Sequence, residues 1–327
     1  MATLQETFEG FKNLNVLVIG DVMVDEYYVG AVTRISPEAP VPVVSVKKRE
    51  RRLGGAANVA LNIMALGANP IVCSVRGNDA EGEWLSSRLN DVDLENEGVI
   101  IDLNRPTTIK TRVIGNDKQL LRVDQEDCSE ISTDIEKKAI DFIKANLSRI
   151  DAVIFQDYNK GFLTKKLITS AIRLCVAAGI PSLVDPKMDH FLDYKGVTLF
   201  KPNRKEIIDG LKLTSTLSNK TEIESAIHSL AQKLQSEQVL LTLSEMGIAL
   251  LENGTVQFID AHKRKIVDVS GAGDSVISVA AVAAASKLSW TEVAQLSNLA
   301  GGLVCEQIGV VAIDKNRLLE EALRIGL

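Results

Sequence analysis

Apolar and polar positions fall in blocks along this chain, and the period changes from block to block. Residues 15–21 (Asn-Val-Leu-Val-Ile-Gly-Asp) run apolar without a break up to Gly20. A strand with one wet face would alternate, whereas an unbroken run calls for burial on both faces, as in a parallel sheet covered by helices. Comparable short runs lie at 71–75, 98–101, 152–156, 182–185, 197–200 and 239–243. Stretches between them repeat apolar residues three and four apart and predict helices over 56–66, 81–89, 132–146, 165–178, 204–211 and 221–236. Further strands are predicted within 247–259, and helices over 275–285, 291–306 and 315–324. Such alternation predicts an α/β fold with a doubly wound, mainly parallel sheet flanked by helices. Residues 27–46 and 107–124 break the rhythm: they lack helical periodicity and are rich in Val, Ile, Thr and Arg. Gly115-Asn116-Asp117-Lys118 supplies a hairpin turn, so both segments read as short antiparallel strands projecting from the main sheet. With no linker, repeat or low-complexity tract in view, one domain over 1–327 is expected.

Composition narrows the class. Of 327 residues, 46% are hydrophobic but only 4% aromatic, so Ala, Val, Ile and Leu must fill the core. A net charge of -6 and a pI near 5.3 argue against a nucleic-acid or anionic-membrane surface. The run Lys47-Lys48-Arg49-Glu50-Arg51-Arg52 is a local exception, read as a solvated turn in preference to a phosphate-recruiting patch. Four widely spaced cysteines (Cys73, Cys128, Cys175, Cys305) form no C-x-x-C pair and point to a reduced, cytoplasmic protein. The first fifteen residues carry Glu6, Glu9 and Lys12 and make no signal-peptide core. The charge-free run between Asp274 and Lys287 is too short to span a bilayer, so no membrane insertion is expected.

The chemistry concentrates at Asp268-Val269-Ser270-Gly271-Ala272-Gly273-Asp274, directly before that charge-free helical run. Small residues leave the amides of Gly271, Ala272 and Gly273 open at the positive end of a helix, where an anion is favoured. Asp274, among those donors, is expected to be held ionised and to accept a proton from a nucleophilic hydroxyl. Phosphate and hydroxyl meeting at one point suggest phosphoryl transfer. Asn203 and Glu206, three apart after a strand, face one side of a helix start and fit either a capping box or magnesium and phosphate organisation. Gly20-Asp21-Val22-Met23-Val24-Asp25 places two carboxylates past the first strand, and Asp21 could equally satisfy local backbone amides. Gly54 and Gly55 would let a sugar approach the backbone, and Asn58 offers both donor and acceptor.

These motifs together resemble the ribokinase-like (PfkB) sugar kinases. The C-terminal D-x-x-G-A-G-D signature is followed by a helix, and the Gly-Gly…Asn signature is matched by Gly54-Gly55-Ala56-Ala57-Asn58. The resemblance implies a small β lid from residues 27–46 and 107–124, which often also forms a dimer interface; a homodimer through the lid strands is therefore expected. It implies ATP and Mg²⁺ as cofactors, with Asn203 and Glu206 acting on the metal largely through water, and leaves a monovalent-cation requirement open. Asp274 is implied as the base, with Gly271, Ala272 and Gly273 as the anion hole. Thr242, Ser244, Gly247, Asp268 and Asn298 are implied on the nucleotide side. Asp25, matching a hydroxyl-binding aspartate, is implied on the sugar side with Gly54, Gly55, Asn58 and Asp157.

Within that family, residues 34–43, the Gly-Gly-Ala-Ala-Asn run, Gln156-Asp157-Tyr158-Asn159-Lys160-Gly161 and Val184-Asp185-Pro186-Lys187 resemble the heptose 7-phosphate kinases over essentially the full length. That implies phosphorylation of the anomeric hydroxyl of D-glycero-D-manno-heptose 7-phosphate, giving the 1,7-bisphosphate used for lipopolysaccharide core. A phosphorylated substrate needs a second anion site, for which Arg112 and Lys187 are favoured over Arg122 and Lys160. Many relatives carry a second, adenylyl-transferring domain, but His190, His228 and His262 lack the H-x-G-H spacing, so where the pathway is present a separate protein is expected to perform that step. Val269 stands where the family usually has Thr, which removes a hydroxyl contact without touching base or anion hole. Alternatives are a kinase of this fold for ribose, fructose or a hexose phosphate, and a non-catalytic sugar-phosphate sensor. A dehydrogenase fails because no third glycine follows at Val276 and the motif lies late in the chain.

Overall fold

The computed structural model describes residues 3–327. An unforeseen first helix, α1 (Leu4–Gly10), is closed by a capping box between Thr3 and Glu6 and buries Phe8. Strand β1 (Asn15–Gly20) follows and lies in the middle of the main sheet, in parallel with β4 (Asn69–Gly77) on one side and β8 (Ala152–Gln156) on the other. Its unbroken apolar run has the cause inferred from sequence. Val16 and Val18 enter one hydrophobic core while Leu17 and Ile19 enter a second on the opposite face. The sheet has nine strands. Beyond β4 lies β5 (Val99–Asp102). Beyond β8 come β9 (Ser182–Asp185), β10 (Leu199–Phe200), β11 (Gln238–Thr242), and the antiparallel β12 (Ile248–Glu252) and β13 (Thr255–Ile259).

Helices α2 (Ala56–Ala65), α8 (Ala272–Ala285) and α9 (Trp290–Val304) supply the first core. The second is filled from α4 (Thr133–Asn146), α5 (Lys165–Ala178) and α7 (Lys220–Leu234). Helices α3 (Ala80–Asp91), α6 (Arg204–Leu211) and α10 (Lys315–Arg324) complete the set. Helix α8 is buried almost all round, which explains the lack of charge beyond its first turn, and it starts at Ala272, so Asp274 lies inside that turn.

A separate four-stranded sheet, ordered β3-β2-β6-β7, is built from β2 (Val22–Ile35), β3 (Pro42–Gly55), β6 (Ile109–Gly115) and β7 (Lys118–Gln125). The hairpin turn falls where expected, with Asn116 and Asp117 at φ of 51° and 61°, the pair of left-handed residues that a type I′ turn requires. The extent of β2 and β3 differs from the sequence reading, because residues 47–52 are not a solvated turn but part of a 14-residue strand. Alternate charges there pair across the sheet: Arg49 and Arg51 converge on the buried carboxylate of Glu26, at 2.7 and 2.8 Å. A sheet that stands off the core carries charge on both faces, so its strands do not show apolar alternation.

Candidate functional site

The carboxyl ends of β8 and β9, with Lys201 just past β10, meet the start of α8, at the edge where sheets of this kind bind ligands. Gly271 caps α8 at φ 80°, a left-handed conformation that favours glycine, and a Cβ there would lie 3.0 Å from Val310 Cγ1. The first turn of a helix leaves its amides without intrahelical partners. Ala272 is partly spoken for, since its amide reaches back to the Val269 carbonyl (3.3 Å). A Cβ on Gly273 would sit 3.5 Å from Asp185 Oδ2 and 3.9 Å from Lys201 Nζ. The buried Asp185–Lys201 ion pair (3.1 Å) therefore stands beside the amide nest.

Asp274 is buried and surrounded by donors rather than by aliphatic groups. Its Oδ2 accepts from Asn58 Nδ2 (2.6 Å), and its Oδ1 from Tyr158 Oη (2.8 Å) and Gln156 Nε2 (3.2 Å). This corrects the expectation of a low-pKa carboxylate. Burial dominates and pushes Asp274 up to about 6, with Asn58 and Tyr158 pulling down, Asp185 pushing up and Lys201 pulling down. Tyr158 is held protonated by burial and by the neighbouring Asp274 charge, so it remains a donor. Gln156 Oε1 is buried without a partner next to this carboxylate. Sequence reasoning had passed over Gln156, Tyr158, Asp185 and Lys201. All four lie in the runs that carried the resemblance or beside the N-x-x-E motif, but their convergence is a long-range property of strand ends.

Asn203 and Glu206 form a reciprocal capping box at the start of α6. The Glu206 amide donates to Asn203 Oδ1 (2.8 Å) and the Asn203 amide to Glu206 Oε2 (2.8 Å). Glu206 Oε1 is taken by Lys187 Nζ at 2.5 Å. Burial opposes the Lys187 charge, but Asp185 and Glu206 outweigh it and hold the ammonium above its usual range. Lys187 thus belongs to the α6 and β9 end, not to the Asp25–Arg112 cluster, which corrects its pairing with Arg112 as a joint site for the sugar's phosphate. As placed, Asn203 and Glu206 do not fit direct coordination of Mg²⁺: their oxygens are already bonded, and no cluster of three ligating side chains occurs among the described residues. A shell of water and nucleotide oxygens suits the small, reluctantly dehydrated ion better.

Beyond α6, the Thr242 amide donates to the Pro202 carbonyl (3.1 Å), which ties β11 to the Asn203 turn. Ser244 and Gly247 close the next turn, with the Gly247 amide on the Ser244 carbonyl (3.0 Å). Two adjoining pockets open there. One, of about 290 Å³, is lined by Lys220, Leu243, Met246, Phe258 and Asp260; the other, of about 410 Å³, by Asn203, Arg204, Lys205 and Ser244, and Glu245 borders both. Asn298 Nδ2 donates to the Asp260 carbonyl (2.9 Å) and so shapes the first pocket's rim. Asp268 turns inward on its own loop: its two oxygens accept from the amides of Ser270 and Gly309, both at 2.9 Å, and those amides lower its pKa against the opposing effect of burial. Its carboxylate is committed to the loop rather than open to a nucleotide.

On the opposite side of Asp274, Asp25 Oδ1 accepts from Arg112 Nη1 at 2.5 Å, and the Arg112 guanidinium lies 5.2 Å from the Tyr27 ring centre. Asn58, in the first turn of α2, reaches Asp274. The Gly-Gly pair has a cause other than the expected approach of a sugar. A Cβ on Gly54 would collide with Asp25 Oδ2, and one on Gly55, at φ 60°, with the Asp21 carbonyl oxygen. The space is filled by the protein's own β2. Asp157 is likewise corrected: it is buried, with its oxygens bonded to the Asn159 amide and Tyr194 Oη, both at 2.8 Å. Asp21 satisfies backbone, accepting from the amides of Tyr158 (2.9 Å), Lys160 (3.2 Å) and Phe162 (3.3 Å).

A model of the pfkB family carbohydrate kinases matches residues 13–316. The chain is 40% identical over 318 residues to a D-beta-D-heptose 7-phosphate kinase of Bordetella bronchiseptica, covering 96% of this chain and 98% of that one. It is 40% identical over 309 residues to the bifunctional protein HldE of Desulfatibacillum aliphaticivorans, covering 94% of this chain but 63% of that protein, so it spans less than two thirds of that relative's length. Among solved structures it resembles Arabidopsis thaliana ribokinase complexed with ribose and ATP, with a TM-score of 0.75, 18% identity, and 95% and 99% of the two chains covered. It also resembles Escherichia coli phosphofructokinase-2 in complex with substrates and products, with a TM-score of 0.76, 18% identity, and 96% and 99% covered.

Proposed function

The chain belongs to the pfkB family of carbohydrate kinases, and from that premise we propose that it transfers the terminal phosphoryl group of ATP to the anomeric hydroxyl of D-glycero-D-manno-heptose 7-phosphate, as a step toward ADP-heptose. The observation that carries the reaction type is Asp274, a buried carboxylate with donors fixing both oxygens, in the first turn of a glycine-led helix. The substrate rests on the Bordetella bronchiseptica relative, which is matched over nearly its whole length.

ATP lies with its base toward the Lys220–Phe258 pocket and its phosphates toward Asn203 and the start of α8. The sugar lies between Asp25, Asn58 and Arg112, with its anomeric hydroxyl at Asp274. Asp274 is largely ionised near neutral pH, and its oxygen takes the hydroxyl proton as the oxygen attacks phosphorus. Asn58 and Tyr158 orient that carboxylate, and Gln156 Oε1 is free to accept a neighbouring sugar hydroxyl. The amides of Gly271 and Gly273 meet the charge that spreads over the transferring group, while Lys187 and Lys201, each paired with a carboxylate, offset the charges of Glu206 and Asp185 nearby. Magnesium, when bound with the nucleotide, would supply charge neutralisation of the phosphates, with Asn203 and Glu206 acting on it through water.

The residues work as a single kinase unit, with the four-stranded sheet as a lid over the sugar. Leu121 and Val123 stand more than half exposed on one face of β7, 56% and 51%, which supports a homodimer joined through the lids. Four free cysteines support a reducing, cytoplasmic setting, and no helix among the described residues is long and apolar enough to cross a membrane. Phosphorus NMR after incubation with MgATP and heptose 7-phosphate tests the reading. A new anomeric phosphate resonance beside the retained 7-phosphate is expected; turnover confined to ribose, fructose or a hexose phosphate in a parallel coupled assay would replace the substrate.

A further inference from the structure

The lid touches the core at a place the reaction has not yet used. Arg52, near the end of β3, donates from Nη1 to the Val310 carbonyl (3.3 Å), between α9 and α10. Its other nitrogen, Nη2, holds Glu50 Oε2 at 3.0 Å, and the guanidinium lies 5.1 Å from the Tyr27 ring centre, the same ring that Arg112 covers. Arg52 is paired in register with Asp25, so the lid residue that meets the core shares a row with the sugar-side carboxylate.

The segment that Arg52 grips is itself fastened to the amide nest. The Gly309 amide donates to Asp268 Oδ2 (2.9 Å), the Cys305 carbonyl accepts from the amides of Val267 (2.8 Å) and Asp268 (3.2 Å), and Val310 packs against the Cα of Gly271. Gly309 is tight against the arginine as well, since a Cβ there would come within 3.2 Å of Arg52 Nη1. One continuous set of contacts thus runs from Asp25 and Tyr27 through Arg52 to Gly309 and Val310, then to Asp268 and Gly271. We propose that Arg52 is a positioning residue: it latches the lid to the 305–311 segment and so sets the Gly271–Gly273 amides in their phosphate-binding geometry.

The proposal rests on the kinase reading of Asp274 and goes beyond it, because it assigns a role to a residue that touches neither ATP nor the reacting oxygen. An uncharged side chain cannot replace both the bond to Val310 and the stacking on Tyr27, whereas lysine keeps the charge and part of the reach.

The test compares wild type, Arg52→Gln, Arg52→Lys and Asp274→Asn in full-length protein. Steady-state kinetics with MgATP and heptose 7-phosphate are read together with hydrogen exchange of the 267–273 amides without substrate. Arg52→Gln is expected to lower kcat tenfold or more while KM for ATP changes less than threefold, and to speed exchange of the 267–273 amides; Arg52→Lys should restore part of both. Unchanged kcat, or a lowered kcat with exchange in 267–273 as slow as in wild type, would overturn the latch. Failure of the kinase reading is separately visible: wild type would then show no turnover of heptose 7-phosphate, or Asp274→Asn would stay active, whatever Arg52→Gln does to amide exchange.

Discussion

At the scale of single residues, Asp274 combines two opposed demands. A base must be ionised, yet this one is buried deeply enough that its pKa rises to about 6. The sign of the consequence for stability is definite. A carboxyl whose folded pKa lies above its unfolded value favours the protonated native state, so the wild type loses stability as pH climbs from about 4 to about 6, and the cost is complete above that. Asp274→Asn carries no such titration. The stability of the variant relative to wild type should therefore improve by about 1 kcal/mol between pH 5 and pH 7.5. Urea unfolding of both proteins at the two pH values measures it; a pH-independent difference would contradict the raised pKa. Asp274, Asn58 and Asp25 were legible because each sits in a short signature. The partners Gln156 and Tyr158 were not, because they reach Asp274 across separations of 118 and 116 residues that only the strand order of the sheet closes.

At the scale of elements, burial on both faces made β1 readable, and the absence of such burial hid the true length of β2 and β3. Residues 47–52 looked like solvated charge because nothing in the sequence announces that Glu26, on the neighbouring strand, will receive two of their guanidinium groups. At the Gly-Gly signature the groups in close approach are Asp25 at Gly54 and the Asp21 carbonyl at Gly55. Gly54→Ala should therefore act through that contact. The added methyl displaces Asp25 and disturbs its bond to Arg112, and overpacking of this kind costs about 1–3 kcal/mol. A lowered Tm together with a several-fold higher KM for the sugar, at little-changed KM for ATP, is expected; a variant with wild-type KM for the sugar would separate Gly54 from the Asp25–Arg112 pair.

The whole molecule is a nine-stranded sheet flanked by helices with a separate four-stranded sheet, and Val46, Leu120, Leu121 and Val123 of the smaller sheet are among its exposed large apolar residues. Sequence periodicity gave the layered sheet because helices and buried strands each impose a period. It could not give the extent of the four-stranded sheet, since strands with charge on both faces leave no such pattern. Placing aspartate at both Leu121 and Val123 should convert a particle of twice the 35.5 kDa chain into a monomer on light scattering, with the fold intact by circular dichroism. A wild-type protein that already scatters as a monomer at micromolar concentration would remove the lid-to-lid dimer from the account.

The central claim is that Asp274 takes the proton from the sugar's anomeric hydroxyl, and the most direct measurement is the turnover of Asp274→Asn with MgATP and heptose 7-phosphate beside its affinity for ATP. General-base removal predicts a fall in kcat of about 10³-fold, with the dissociation constant for ATP within threefold of wild type. Turnover near the wild-type rate, with the substitution verified and ATP still bound, would contradict it.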